Sequence, residues 1–285
     1  MTYKKRSLKF QFTLKSGKFD ENGNDILTID NIKSEIEVGA FGGVSGTTLE
    51  AKVYGLSKDN MALLSYKGIQ INNPDQNMVK VWADGEPIFF GAIMSCYADM
   101  NQMPDAPLII SASATGIGQL VRCPDFSVKG TLKVSEIISS IAKSIGFTVI
   151  DSGVTSTVEN PFYTGNAVEQ ITKCAQDAGI EKDIRMGIIY IWPQGGDLDA
   201  VMPYVSPENG LIGYPIFNNY GVTFQCTYSN LITIGRRVKL KTSIPNMNGT
   251  YAVAGAVHYL SSWIEGGPWI TIVHAAMGKQ EIVRQ

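Results

Sequence analysis

The sequence predicts a mainly β protein with a small α/β insert, in the order β, then α/β, then β along its 285 residues. Three observations predict it. The first stretch, to about residue 115, carries short runs in which apolar and polar residues alternate, the period-two signature of half-buried strands. From about residue 130 to about 195 the apolar spacing changes to threes and fours, the helical period. After about residue 200, strand-like runs return between Gly and Asn turns. The corresponding units are 1–118, 119–200 and 201–285, and a chain of this length can bury two to three cores.

The first strand is Ser7 to Leu14, with Leu8, Phe10, Phe12 and Leu14 on one face. Gly17 to Asp25 is a polar turn region. Ile32 to Val38 alternates over its second half, and Thr48 to Tyr54 repeats the pattern with Leu49, Ala51 and Val53 pointing one way. Ser57 to Ser65 breaks it as one short helix with Met61 and Leu64 inward. Met78 to Glu86 is a strand running into an Asp84-Gly85 turn, with Ile88 to Met94 as its hairpin partner. Leu108 to Ala114 closes the series, which points to a barrel or a sandwich.

In the middle block Val134, Ile137, Ile138, Ile141 and Ile145 form one face of a helix that Gly146 stops, and Phe147 to Ile150 follows as a strand. A second helix spans Ala167 to Ala178. Asn166 is its N-cap, Glu169 completes a capping-box arrangement, and Val168, Ile171, Ala175 and Ala178 make its apolar stripe. Gly187 to Trp192 is a strand closed by Pro193 to Gly196.

The third block reads as strands Val222 to Tyr228, Arg237 to Thr242, Gly249 to Ser261 and Trp269 to Met277. Asn246 to Gly249 is a turn in which Gly249 fits a position of positive φ. Gly249–Leu260 and Pro268–Ala276 form a long hairpin with a Gly266-Gly267 tip. No residue-level repeat decides whether the two β blocks are halves of one barrel or two related barrels.

Composition narrows the function. Charged residues are only 18% against 44% hydrophobic, below the roughly 25% charged share of ordinary soluble domains. Such a surface suits burial against partners. The formal net charge is −2, without the basic excess that gripping a phosphate backbone needs. Lys4, Lys5 and Arg6 form the one basic cluster, read as a solvated terminal arm. The cysteines at 96, 123, 174 and 226 have no CxxC spacing, which speaks against a disulfide framework or zinc knuckle. The first twenty residues are polar and charged, unlike a signal peptide, and no apolar run approaches a membrane span.

Catalytic motifs are weak. The two histidines, His258 and His274, fall inside predicted strands of one hairpin, where packing explains them better than general-base duty. Gly39 to Gly46 lacks the Gly-Lys-Ser/Thr ending of a phosphate loop, and the glycine spacing around Ser45 is wrong for a nucleophile elbow. Gly116-Ile117-Gly118 lacks a third glycine. Both stretches read as loops or turns. The acidic candidates for a glycosidase pair are Asp197 with Asp199, and Asp20 with Glu21 and Asp25. Both sets lie in polar turns, away from the strand ends where a pocket would raise an acid's pKa. Asp197 and Asp199 also lack the twelve-residue calcium-loop pattern. The sequence therefore assigns no catalytic, cofactor-binding or metal-binding residue.

One segment is more specific. Ser206-Pro207-Glu208-Asn209-Gly210-Leu211-Ile212-Gly213-Tyr214-Pro215 resembles the SPE-x-GLIG-x-P segment of bacteriophage tail baseplate hub proteins. Gly221 to Phe224, Asn230 to Val238, Asn248 to Val253, His258 and Gly267 to Ala275 follow as in that family. Tyr54 to Met61 and Phe90 to Ile93 are similar to its N-terminal segments. The resemblance covers nearly the whole chain.

The resemblance implies two tail-tube-like β-barrel domains, 1–118 and 201–285, flanking the α/β insert. It implies a homotrimeric ring joining the hexameric tail tube to the trimeric central spike, in contact with other baseplate proteins. DNA would pass through the lumen without specific binding. It also implies a non-enzymatic virion protein assembled in the host cytoplasm, without membrane insertion. The rivals are a tail tube or tube-initiator protein and, further off, a tail-associated cell-wall hydrolase.

Overall fold

The computed structural model describes residues 5–42, 46–68, 75–120, 123–244 and 246–277. Lys4 of the basic cluster and Gly43, Val44 and Ser45 of the glycine stretch lie outside the described residues.

The first block contains β1 (Leu8–Thr13), β2 (Ile26–Asp30), β3 (Ser34–Ala40), β4 (Thr47–Val53), helix α1 (Lys58–Leu64), β5 (Met78–Ala83), β6 (Glu86–Ala98) and β7 (Leu108–Ser113). The alternation predicted for β1 is realised, with Leu8, Phe10 and Phe12 buried and the residues between them half-buried. Ser57 caps α1 by accepting from the Asn60 amide, and Met61 and Leu64 face inward. Asp84 (φ 50) and Gly85 (φ 90) turn β5 into β6, both in the left-handed region that a tight two-residue hairpin requires. β2 is not predicted, because its five residues are too short to establish an alternation. β3 runs two residues beyond its predicted end, so Gly39 and Ala40 are strand residues paired with Thr48 and Thr47 rather than part of a loop.

The glycine pair after β7 is corrected too. Gly116–Leu120 is a short helix, α2. A Cβ on Gly118 would come within 2.8 Å of Val168 Cγ2, so that glycine is there for packing, which local sequence cannot reveal.

The insert continues with β8 (Phe126–Ser127), β9 (Thr131–Lys133), α3 (Val134–Ser144), β10 (Thr148–Asp151), β11 (Thr157–Glu159), β12 (Phe162–Tyr163), α4 (Ala167–Asp177), β13 (Ile180–Arg185) and β14 (Ile188–Pro193). The stripe Val134, Ile137, Ile138 and Ile141 is buried, and the Asn166–Glu169 capping box closes in both directions. β10 lies parallel to β14, and β13 antiparallel to it. β13 escaped the sequence because four of its six residues are charged.

The third block holds β15 (Tyr204–Val205), β16 (Leu211–Asn218), β17 (Gly221–Thr227), β18 (Arg237–Leu240), β19 (Gly249–Ser262) and β20 (Trp269–Met277). β19 and β20 form the predicted long hairpin. In the turn before β19 the positive φ belongs to Asn246 (φ 64), whereas Gly249 opens the strand. Asn tolerates the left-handed region better than most residues, which frees Gly249 to pair with Leu240.

The two β blocks share one hydrogen-bonded path, β16-β17-β20-β19-β3-β4-β7-β6-β5-β1-β2. β19 is the splice. Gly249–Ala252 pairs with β18, and Ala256–Ser262 pairs with β3. Three cores result. The first lies under β1 to β7 and includes Leu260 from β19. The second belongs to the insert, and the third lies under β17 to β20.

Candidate functional site

The acidic candidates are tied to arginines or to turns. Asp197 accepts from Arg237 at 2.8 Å, and Asp199 receives a two-pronged contact from the Arg236 guanidinium at 2.6–3.0 Å. These pairs fasten the loop after β14 to the start of β18. The Arg236 hydrogen bonds hold the Asp199 carboxyl below its usual range, opposite to what a general acid needs. Hydrogen bonds from Asn24 do the same for Asp20. Asp183, on β13, is the carboxyl that the sequence missed. Burial raises its pKa and Arg185 stands 3.5 Å away, but its side chain has no exposed surface for a solute to reach.

The histidines are structural neighbours of threonines. His258 is buried, shares a hydrogen bond with Thr271 at 2.9 Å and meets the Tyr228 ring edge-on. Burial lowers its pKa to about 4, leaving it neutral at pH 7. His274 pairs similarly with Thr223 at 3.2 Å. The four cysteines are free and buried, and burial pushes the Cys96 and Cys226 thiols up to about 12. Among the described residues, no group of three or more His, Cys, Asp or Glu could hold a metal ion, and no helix is long and apolar enough to cross a membrane.

The Ser206–Pro215 segment has a distinctive geometry. The Ser206 hydroxyl donates to Glu208 and accepts from the Asn209 amide, while the Leu211 amide reaches back to the Ser206 carbonyl. The chain is thus bent sharply between β15 and β16. Gly210 (φ 84) completes the bend, and its carbonyl receives the Thr227 amide. A Cβ there would fall 2.3 Å from Thr227 Oγ1, so a side chain is excluded by space as well as by φ. The bend lays β16 antiparallel along β17, with a register shift between Ile212 and Ile216.

β16 pairs only with β17 among the described residues and is therefore a sheet edge. It also overhangs. Phe217 stands opposite the fully buried Val222 yet is itself 59% exposed. Tyr214 is 72% exposed, Ile216 63% and Tyr220, in the following turn, 82%. Asn218 shapes that turn by accepting from the Tyr220 and Gly221 amides. No charged residue occurs from Asn209 to Gly235. An uncharged edge with apolar side chains on both faces is costly to leave in water and is a template for strand addition. The sequence located this segment by resemblance but could not show that it is bare. The arrangement suits protein–protein contact.

No curated protein matches the chain by sequence. Solved structures match it across nearly its full length. A 43 kDa tail protein of prophage MuSo2 from Shewanella oneidensis aligns with TM-score 0.61 at 12% identity, covering 95% of this chain and 97% of the other. A tail protein from Neisseria meningitidis aligns with TM-score 0.63 at 10% identity, covering 94% and 96%. An Escherichia coli type VI secretion system component, described as structurally similar to the T4 tail proteins gp27 and gp5, aligns with TM-score 0.61 at 9% identity, covering 88% and 74%. At these identities the likeness is one of fold. Residues 81–263 match the family described as Baseplate hub gp41, a span that takes in the end of β5, all of β6 and β7, the whole insert, the Ser206–Pro215 bend and its bare arm, and β19. The chain belongs to that phage baseplate hub family.

Proposed function

We propose that the chain is a non-enzymatic structural subunit of a phage tail hub, and that three copies form a ring joining the hexameric tail tube to the trimeric central spike. In this reading 1–118 and 201–285 are tail-tube-like barrel domains, and 119–200 is an insert beside them. Three copies with two such domains each would present a pseudo-sixfold face to the tube and a threefold face to the spike. The lumen would let DNA pass without binding it, and the protein would reside in the virion baseplate after assembly in the host cytoplasm.

The observation that carries this is the splice at β19. It gives one chain two separate β cores on a single hydrogen-bonded path, a linked pair suited to imitating two neighbouring tube subunits. The carboxylates nearest to a glycosidase pattern are held by arginines, which supports a role without catalysis.

Native mass spectrometry of the full chain tests the proposal. Three copies are expected, together with ring-shaped particles with a central hole in electron micrographs. A sixfold ring would favour a tube protein instead. A stable monomer at high micromolar concentration that binds neither tube nor spike protein would overturn it.

A further inference from the structure

Both ends of the sheet path leave a core open. β2 pairs only with β1 among the described residues. Its Ile29 and Leu27 stand opposite the fully buried Phe10 and Phe12, so they face the first core, yet they are only half-buried. Among the described residues no strand lies beyond them to finish that layer. At the opposite end, Phe217 faces the same side as the buried Val222 and is uncovered for the same reason. Among the described residues one edge lacks a cover, and the other carries apolar side chains that stay largely exposed.

We infer that β16 of one copy adds along the free edge of β2 in a second copy, with Phe217 covering Leu27 and Ile29. This deepens the ring reading and rests on it. The occupant is another copy of this chain because the two bare edges complement each other. The arm is uncharged and apolar on both faces. The β2 edge offers apolar residues inward and Ile26, 49% exposed, outward, with Asp30 as its only charge. Each copy would donate one edge and accept one. That contact is heterologous, so it closes into a ring when the rotation per copy allows, leaving neither edge exposed. The register shift between Ile212 and Ile216 limits the regular edge to Ile216–Asn218, short enough for the five residues of β2.

The test uses the full chain with two kinds of substitution. Ile216→Asp and Phe217→Asp alter residues already exposed in the single copy, so circular dichroism should report an unchanged fold. A charge in the junction is expected to weaken association by at least about 100-fold. The double variant Ile216→Cys with Thr28→Cys, oxidised under native conditions, is expected to yield covalent multimers ending at a closed ring. The native thiols are buried and give little background. If the wild type forms a ring but the Asp variants form it equally well and the cysteines do not cross-link, this junction is wrong and the ring reading stands. A wild-type monomer overturns both. Cross-linking by Ile216→Cys alone into dimers shows β16 pairing with itself and overturns the heterologous junction.

Discussion

His258 shows how one residue links chemistry to stability. It lies on the strand that splices the two β blocks, beside Thr271 and Tyr228, and Arg185 and Arg236 line the same cavity. Burial lowers its pKa from 6.5 to about 4, so the unfolded chain takes up the proton more readily than the folded one. Its contribution is therefore complete above pH 6.5 and drains away as the pH falls from 6.5 towards 4. Urea unfolding across that window should show a loss of about 3 kcal/mol attributable to this group. His258→Phe should flatten the slope there while lowering stability at pH 7, because Thr271 loses its partner. An equal slope in the variant would place the acid sensitivity elsewhere. The strand position of His258 was legible in the sequence; its burial came from β3 and Tyr228, which lie far away along the chain.

At the level of elements, β19 decides most. Its Leu260 is fully buried in the first core although it belongs to the last block, and Trp269 and Tyr228 pack against the same core. Leu260→Ala should lower the stability of the first block by about 3 kcal/mol, in the range for a buried leucine replaced by alanine, as read by thermal or urea unfolding. Little effect would mean that the splice is peripheral. The β19–β20 hairpin was legible because alternation and the glycine tip lie within one segment. β2 and β13 were not: the first is too short, and the second is rich in charge, with Asp183 buried against expectation. Periodicity reports solvation on two faces, and it fails where an edge or a buried charge breaks that rule.

For the whole molecule, the three cores differ in self-sufficiency. All buried members of the insert's core fall between Cys123 and Ile191. The first core takes in Leu260 from the third block and has Tyr228 and Trp269 packed against it. An isolated fragment 119–200 should therefore show a cooperative melt by circular dichroism, whereas 1–118 alone should lack one. A cooperative melt of 1–118 would show that the third block only caps a domain already complete.

By itself the sequence determined the β, α/β, β order, the main helices and hairpins, and the hub resemblance at Ser206–Pro215. Those depend on local periodicity, turn chemistry and a short motif, all contained within neighbouring residues. Only the tertiary structure decided that the outer blocks form one path through β19, that Asp197 and Asp199 are held by Arg237 and Arg236, and that β16 overhangs its core. Each of these depends on what lies opposite a residue in space. The sequence singled out Ser206–Pro215 by resemblance, and the fold showed that the segment bends and leads into an exposed arm.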